Sequence, residues 1–142
     1  SQVPTRWIDQ GAHEAIAIAG MPNRYLAGIT EVALKAHVSD KTSWQKMLTN
    51  RIEDVDLTEW RAKLKDEIPE EAKGFFDDSP DENQLDFPVL QYPEKVKSLN
   101  LQKTPSYTGV LKGIKGQYLI FEDQMVFNVR ANEGYVVGID IK

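Results

Sequence analysis

"PTRWIDQGAHEAIAIAG", residues 4–20, decides the fold, because two periodicities run through it at once. Ile8, Ala12, Ala15, Ile16 and Ala19 fall on one face of a helix, whereas Ile16 and Ile18 fall on one face of a strand. Alanine forms helices well and strands poorly, which tips the stretch towards one continuous helix despite Gly11. The other outcome is a short helix that stops between Gly11 and His13 and becomes the strand "EAIAIAG" (14–20). Such a strand needs a neighbour to satisfy its backbone groups. If its outer edge stays open, the same residues offer a homodimer contact.

Outward from this stretch, Leu26, Ile29, Ala33 and Ala36 mark a helix from Arg24 to about Val38. "SDKTSWQKMLTN" reads as a break and then a short helix, with Thr42 or Ser43 as its cap and Trp44, Met47 and Leu48 turned inward. Asp56 and Glu59 have the spacing of a capping box ahead of a helix over 57–67, and Pro69 starts a further turn before Gly74. Residues 75–95 carry prolines and acids without a sustained period and read as a linker. Beyond it the pattern changes to strands: "VKSLNL", "QYLIF", "VFNVR" and "YVVGIDI", separated by the turns "EDQM" and "ANEG". The expected fold class is α+β, with a helical region of three to four helices over 1–74 and an antiparallel β-meander or small barrel over 96–142.

Composition excludes several classes. No run of about 18 apolar residues exists to span a membrane, and no signal peptide is visible. Without cysteine there is no disulfide framework, thiolate metal site or cysteine nucleophile, and a reducing cytoplasm fits. The net charge of −5 argues against indiscriminate nucleic-acid binding, yet it is unevenly spread. Residues 53–82 hold four Lys/Arg against twelve Asp/Glu, while residues 1–52 and 93–142 are mildly basic. The acidic stretch reads as a solvated face or as a docking surface for an unknown protein partner, with Asp66, Glu67, Glu70 and Glu71 as the acids that would carry the docking.

His13 and His37 stand far apart with no helical partner and read as packing or surface residues. "GVLKGIKGQ" is glycine-rich and basic but lacks the G-K-[ST] ending and following helix of a phosphate loop, so its glycines mark a bulge or bend in a curved strand. Lys112, Lys115 and Arg130 beside Tyr118 or Tyr135 compose a basic, aromatic face of the kind that contacts phosphates and stacks on bases; the other reading is a plain solvated sheet face.

"PTRWIDQGA", "RYLAGITEVALKAHVSDKTSWQKML", "TGVLKGIKGQYLIF" and "VFNVR…GYVV" together resemble a bacterial family classed as a domain of unknown function, number 2797. The resemblance covers nearly the whole chain and implies the C-terminal part of longer proteins, but no established activity. Residues 4–50 also resemble a truncated GIY-YIG nuclease core, in which "RWIDQGA" is the helix carrying Arg6, "EAIAIAG" the third strand, and Ala27-x-x-x-Glu31-x-x-Leu34 the following helix. That resemblance implies Arg6 on a phosphate and Glu31 on a divalent metal such as Mg²⁺, where developing phosphate charge must meet cations. Both tyrosine motifs of that core are missing from residues 1–142, which implies no catalysis by this chain alone.

Overall fold

The computed structural model describes residues 3–39 and 41–142. The chain forms two compact units, neither continuous in sequence. The first comprises Ser1–Gly11, Trp44–Arg51 and Phe87–Lys142, and the second Ala12–Ser43 and Ile52–Asp86. By charge they differ sharply: ten Lys/Arg stand against six Asp/Glu in the first, seven against sixteen in the second. They are called here the basic and the acidic unit. Residues 1–74, expected as one helical region, are thus shared between the two, and the expected linker at 75–95 contains the division between Asp86 and Phe87.

Helix α1 (Val3–Asp9) stops at Gly11, whose φ of +67° is a left-handed conformation that glycine adopts at little cost. The Gly11 N–H donates to the Ile8 carbonyl at 2.9 Å, and a Cβ there would lie 2.6 Å from the Met47 sulfur. The continuous helix favoured by alanine propensity is therefore corrected. Residues Glu14–Ile16 are strand β1, antiparallel to β2 (Glu82–Gln84), with Glu14 opposite Gln84 and Ile16 opposite Glu82. The neighbour that a strand requires comes from the acidic stretch 66 residues further on, information that no local pattern carries. The pairing continues past β1: Asp77 N–H donates to the Ile18 carbonyl at 2.8 Å and Gly20 N–H to the Phe75 carbonyl at 2.9 Å.

In the acidic unit α2 (Arg24–Leu34) is capped by Asn23, whose side chain accepts from the Leu26 N–H at 2.9 Å. The capping-box reading of Asp56 holds: its carboxylate accepts from the Glu59 N–H at 2.8 Å, starting α4 (Leu57–Leu64). A tighter turn over Lys65–Glu67 and another over Glu70–Phe75, preceded by Pro69, complete the unit. Leu34, Leu64, Ile68 and Ala72 form its buried core, with Ile18, Met21, Leu26 and Phe76 packed around them. Arg61, 5% exposed, donates to the carbonyls of Ala17 at 3.3 Å and Ser79 at 2.5 Å, so its buried guanidinium is satisfied by the backbone on either side of the strand pair.

The basic unit holds a four-stranded sheet in the order β3-β6-β5-β4, comprising β3 (Lys97–Ser98), β4 (Leu111–Lys115), β5 (Tyr118–Phe121) and β6 (Met125–Asn128). β4, β5 and β6 form the expected antiparallel meander. β3 pairs with β6 in parallel, so the sheet is mixed, and it stays open rather than closing into a barrel. The bulge read from "GVLKGIKGQ" lies between Leu111 and Gly113, where a Cβ on Gly113 would sit 2.8 Å from the Val89 Cα. The segment around Val89 covers the β4 edge, with Leu90 N–H donating to the Lys112 carbonyl at 2.7 Å and Ile114 N–H to the Pro88 carbonyl at 3.0 Å. The expected strand "YVVGIDI" (135–141) has no strand partner among the described residues, and Val136, Ile139 and Ile141 stand exposed. Helix α3 (Trp44–Leu48) lies on the sheet through Leu48, which is fully buried with Ile120 and Val126.

Candidate functional site

On the basic unit a cleft of about 360 Å³ opens where the starts of α3 and β5, the end of β3 with the turn that follows it, and the end of β6 with the turn that follows it converge. Trp44 opens α3 and Tyr118 opens β5; their rings lie 11° from parallel with centroids 6.3 Å apart. Tyr135 adds a third ring, and its hydroxyl accepts from Gln102 Nε2 at 3.0 Å. Four carboxamides, Asn100, Gln102, Asn128 and Asn132, supply the polar lining. The sequence "NVRAN" orients two of them: Asn128 Oδ1 accepts from the Ala131 N–H at 2.8 Å, and Asn132 Nδ2 donates to the Asn128 carbonyl at 2.8 Å. Asn100 Oδ1 likewise accepts from the Gln102 and Lys103 N–H groups at 2.9 and 3.3 Å. No Asp, Glu, Lys or Arg lines this cleft, although the unit around it has excess positive charge.

Of the five residues expected on a basic, aromatic face, Tyr118 and Tyr135 meet in this cleft. Lys115 is directly opposite Tyr118 in the β4–β5 register, yet it is only 3% exposed. It lies on the inward side of the strand with Gly113. Its ammonium sits 5.0 Å from the Tyr92 ring centre, 5.6 Å from that of Phe87 and 3.4 Å from Asn50 Oδ1. Burial pushes its pKa below the usual lysine value, since water no longer solvates the charge. Lys112 pairs with Glu122 at 3.1 Å and Arg130 with Asp9 at 3.6 Å. Each of these two cations therefore already faces a carboxylate. Trp44, Asn128 and Asn132 were legible only in part: the asparagine pair at a four-residue spacing is a turn signal, but nothing local brings it to a tryptophan 84 residues earlier.

Arg6 is exposed on α1 in the basic unit, and Glu31 is exposed on α2 in the acidic unit. Glu31 forms a surface pair with Lys35 at 3.5 Å, one turn along the same helix. Among the described residues no group of three or more His, Asp or Glu side chains is arranged to hold a metal ion. His37 Nε2 lies 3.1 Å from Glu67 Oε2, and His13 is half-buried with its carbonyl accepting from the Leu85 N–H at 2.9 Å. Asp66, Glu67, Glu70 and Glu71 are all exposed in the acidic unit, and Glu70 binds Lys73 at 2.6 Å. No helix among the described residues is long and apolar enough to cross a membrane.

An α+β protein emerges in which a neutral, ring-lined cleft is set on a basic, sheet-bearing unit. The model of a family described as protein of unknown function (DUF2797) matches residues 1–137, and the chain belongs to that family. No curated protein and no solved structure matches it.

Proposed function

We propose that this protein associates with nucleic acid, and that the cleft of the basic unit takes single-stranded DNA or RNA as a binding module. The observation that carries this reading is the gathering of Trp44, Tyr118 and Tyr135 at one opening, on the unit with ten cations against six acids. Base-on-ring stacking is worth about 1–3 kcal/mol per base, and the surrounding positive charge draws the phosphate backbone to it. Anisotropy of a labelled single strand over a salt series tests it. Trp44→Ala and Tyr135→Ala should each weaken binding by roughly tenfold. Wild-type affinity in both variants would overturn the assignment.

A second reading places a nuclease-like core over residues 4–50, and the element order favours it. An arginine-bearing helix, a strand at Glu14–Ile16 and a glutamate-bearing helix follow one another as the GIY-YIG resemblance implies. In this reading Arg6 meets a phosphate and Glu31 a divalent cation such as Mg²⁺, with no strand cleavage by residues 1–142. Calorimetry with Mn²⁺ and Mg²⁺ on wild type and Glu31→Gln tests it. Identical traces for the two proteins would remove Glu31 from any metal site.

A further inference from the structure

We infer that the cleft is a clamp for one flat, uncharged heterocycle, a single nucleobase held between Trp44 and Tyr118 and read by carboxamides, with its phosphate left outside. This rests on the nucleic-acid reading above and specifies which part of the ligand enters. The ring geometry is the first support. A ring stacked between two parallel rings needs about 3.5 Å on each face, roughly 7 Å in all. Trp44 and Tyr118 are 11° from parallel with centroids 6.3 Å apart, so their faces are already aligned and a base enters between them by their parting to that spacing. Trp44 is partly exposed on a helix of only five residues, and Tyr135 is half exposed at the same opening.

The hydrogen-bond inventory is the second support. Asn128 Oδ1 is occupied by the Ala131 N–H, which leaves Asn128 Nδ2 as a donor. Asn132 Nδ2 gives one hydrogen to the Asn128 carbonyl and Gln102 Nε2 one to the Tyr135 hydroxyl, which leaves each amide a second N–H to donate and an Oδ1 or Oε1 to accept. The Tyr135 hydroxyl accepts from Gln102 and keeps its own proton to donate. Donors and acceptors therefore stand together, the pattern that the edge of a nucleobase presents and that carboxamides match. A phosphate, which only accepts, could use the donors but would meet amide oxygens among them and no cation to offset its charge.

The consequence is a base-dependent contact with little salt dependence, inside a protein whose backbone contacts are salt-dependent. A Trp7→Phe/Trp60→Phe chain keeps Trp44 as its only tryptophan, so its emission reports the cleft. Adenosine and uridine should quench that emission, with affinities that change by less than about twofold between roughly 50 and 200 mM salt. A short base-bearing single strand should bind about tenfold more tightly than an abasic strand of equal length. Asn132→Ala and Tyr135→Ala should each shrink that ratio, and Trp44→Phe should retain most of it. If base-bearing and abasic strands bind alike, with a steep salt dependence, the clamp falls while nucleic-acid association stands. If neither strand nor nucleoside binds, the nucleic-acid reading falls with it.

Discussion

Truncating Leu48 to alanine tests how the cleft is held. Leu48 is fully buried against Ile120 and Val126 at the last position of α3, and Trp44 stands one turn earlier on the same helix. Five residues are too few for a helix to persist without tertiary packing. Leu48 is the only residue of α3 that is fully buried, so it pins the element that carries one wall of the clamp. Leu48→Ala deletes three buried carbons and leaves a cavity among large neighbours, a change that costs about 3 kcal/mol. Against a typical stability of about 5–15 kcal/mol this is a substantial fraction, yet the chain should still fold at low temperature. The assay is denaturant unfolding followed by Trp44 emission in the Trp7→Phe/Trp60→Phe background. The midpoint should fall with an unchanged slope, and the native emission should shift as Trp44 leaves Tyr118. Leu48→Met, which keeps volume, should cost less than about 1.5 kcal/mol. A loss below about 1 kcal/mol for Leu48→Ala, with native emission unchanged, would show that α3 is held by something other than this side chain.

The cap of α4 gives a second test: Asp56→Ala removes the acceptor of the Glu59 N–H and should cost about 1 kcal/mol in denaturant unfolding, while Asp56→Asn should restore most of it. Tyr107 donates to Asp123 at 2.7 Å, and its phenol is pushed up to about 12, by burial first and by that carboxylate second. The folded state thus keeps a proton that the unfolded chain releases near 10, so this contribution is complete below pH 10 and disappears as pH rises through about 12. Tyr107→Phe should lose that alkaline dependence, measured as melting temperature against pH. Lys115 has the opposite sign: its pKa is lowered in the folded state, so the unfolded chain binds more protons and stability should rise as pH climbs towards 10.5. Lys115→Met should flatten that rise below pH 10, and a slope equal to wild type would place the effect elsewhere.

Local chemistry made several elements legible before any contact was known. Asp56 three residues ahead of Glu59 named a helix start, the glycines of "GVLKGIKGQ" named a bulge, and the alternating runs after residue 96 named the meander. Each rests on interactions within a few residues, where sequence spacing is spatial spacing. The stretch 14–20 was ambiguous for the opposite reason, because its state depends on a partner at 75–84. Lys115 looked like a surface cation because charge is usually solvated. Its register beside Gly113 turned it instead towards Phe87 and Tyr92, and only the pleat of β4 could decide that.

By itself the sequence determined the α+β class, the family, the absence of thiol chemistry and the starts of the longer helices at Arg24 and Leu57, since composition and short-range hydrogen bonding govern them. Tertiary structure alone decided that residues 14–16 are a strand, that the chain shares its charge between an acidic and a basic unit, and that Trp44 meets Tyr118, Tyr135 and four carboxamides. These depend on pairings across tens of residues. Their cost is chain entropy, repaid only when the whole sheet and its buried neighbours form together.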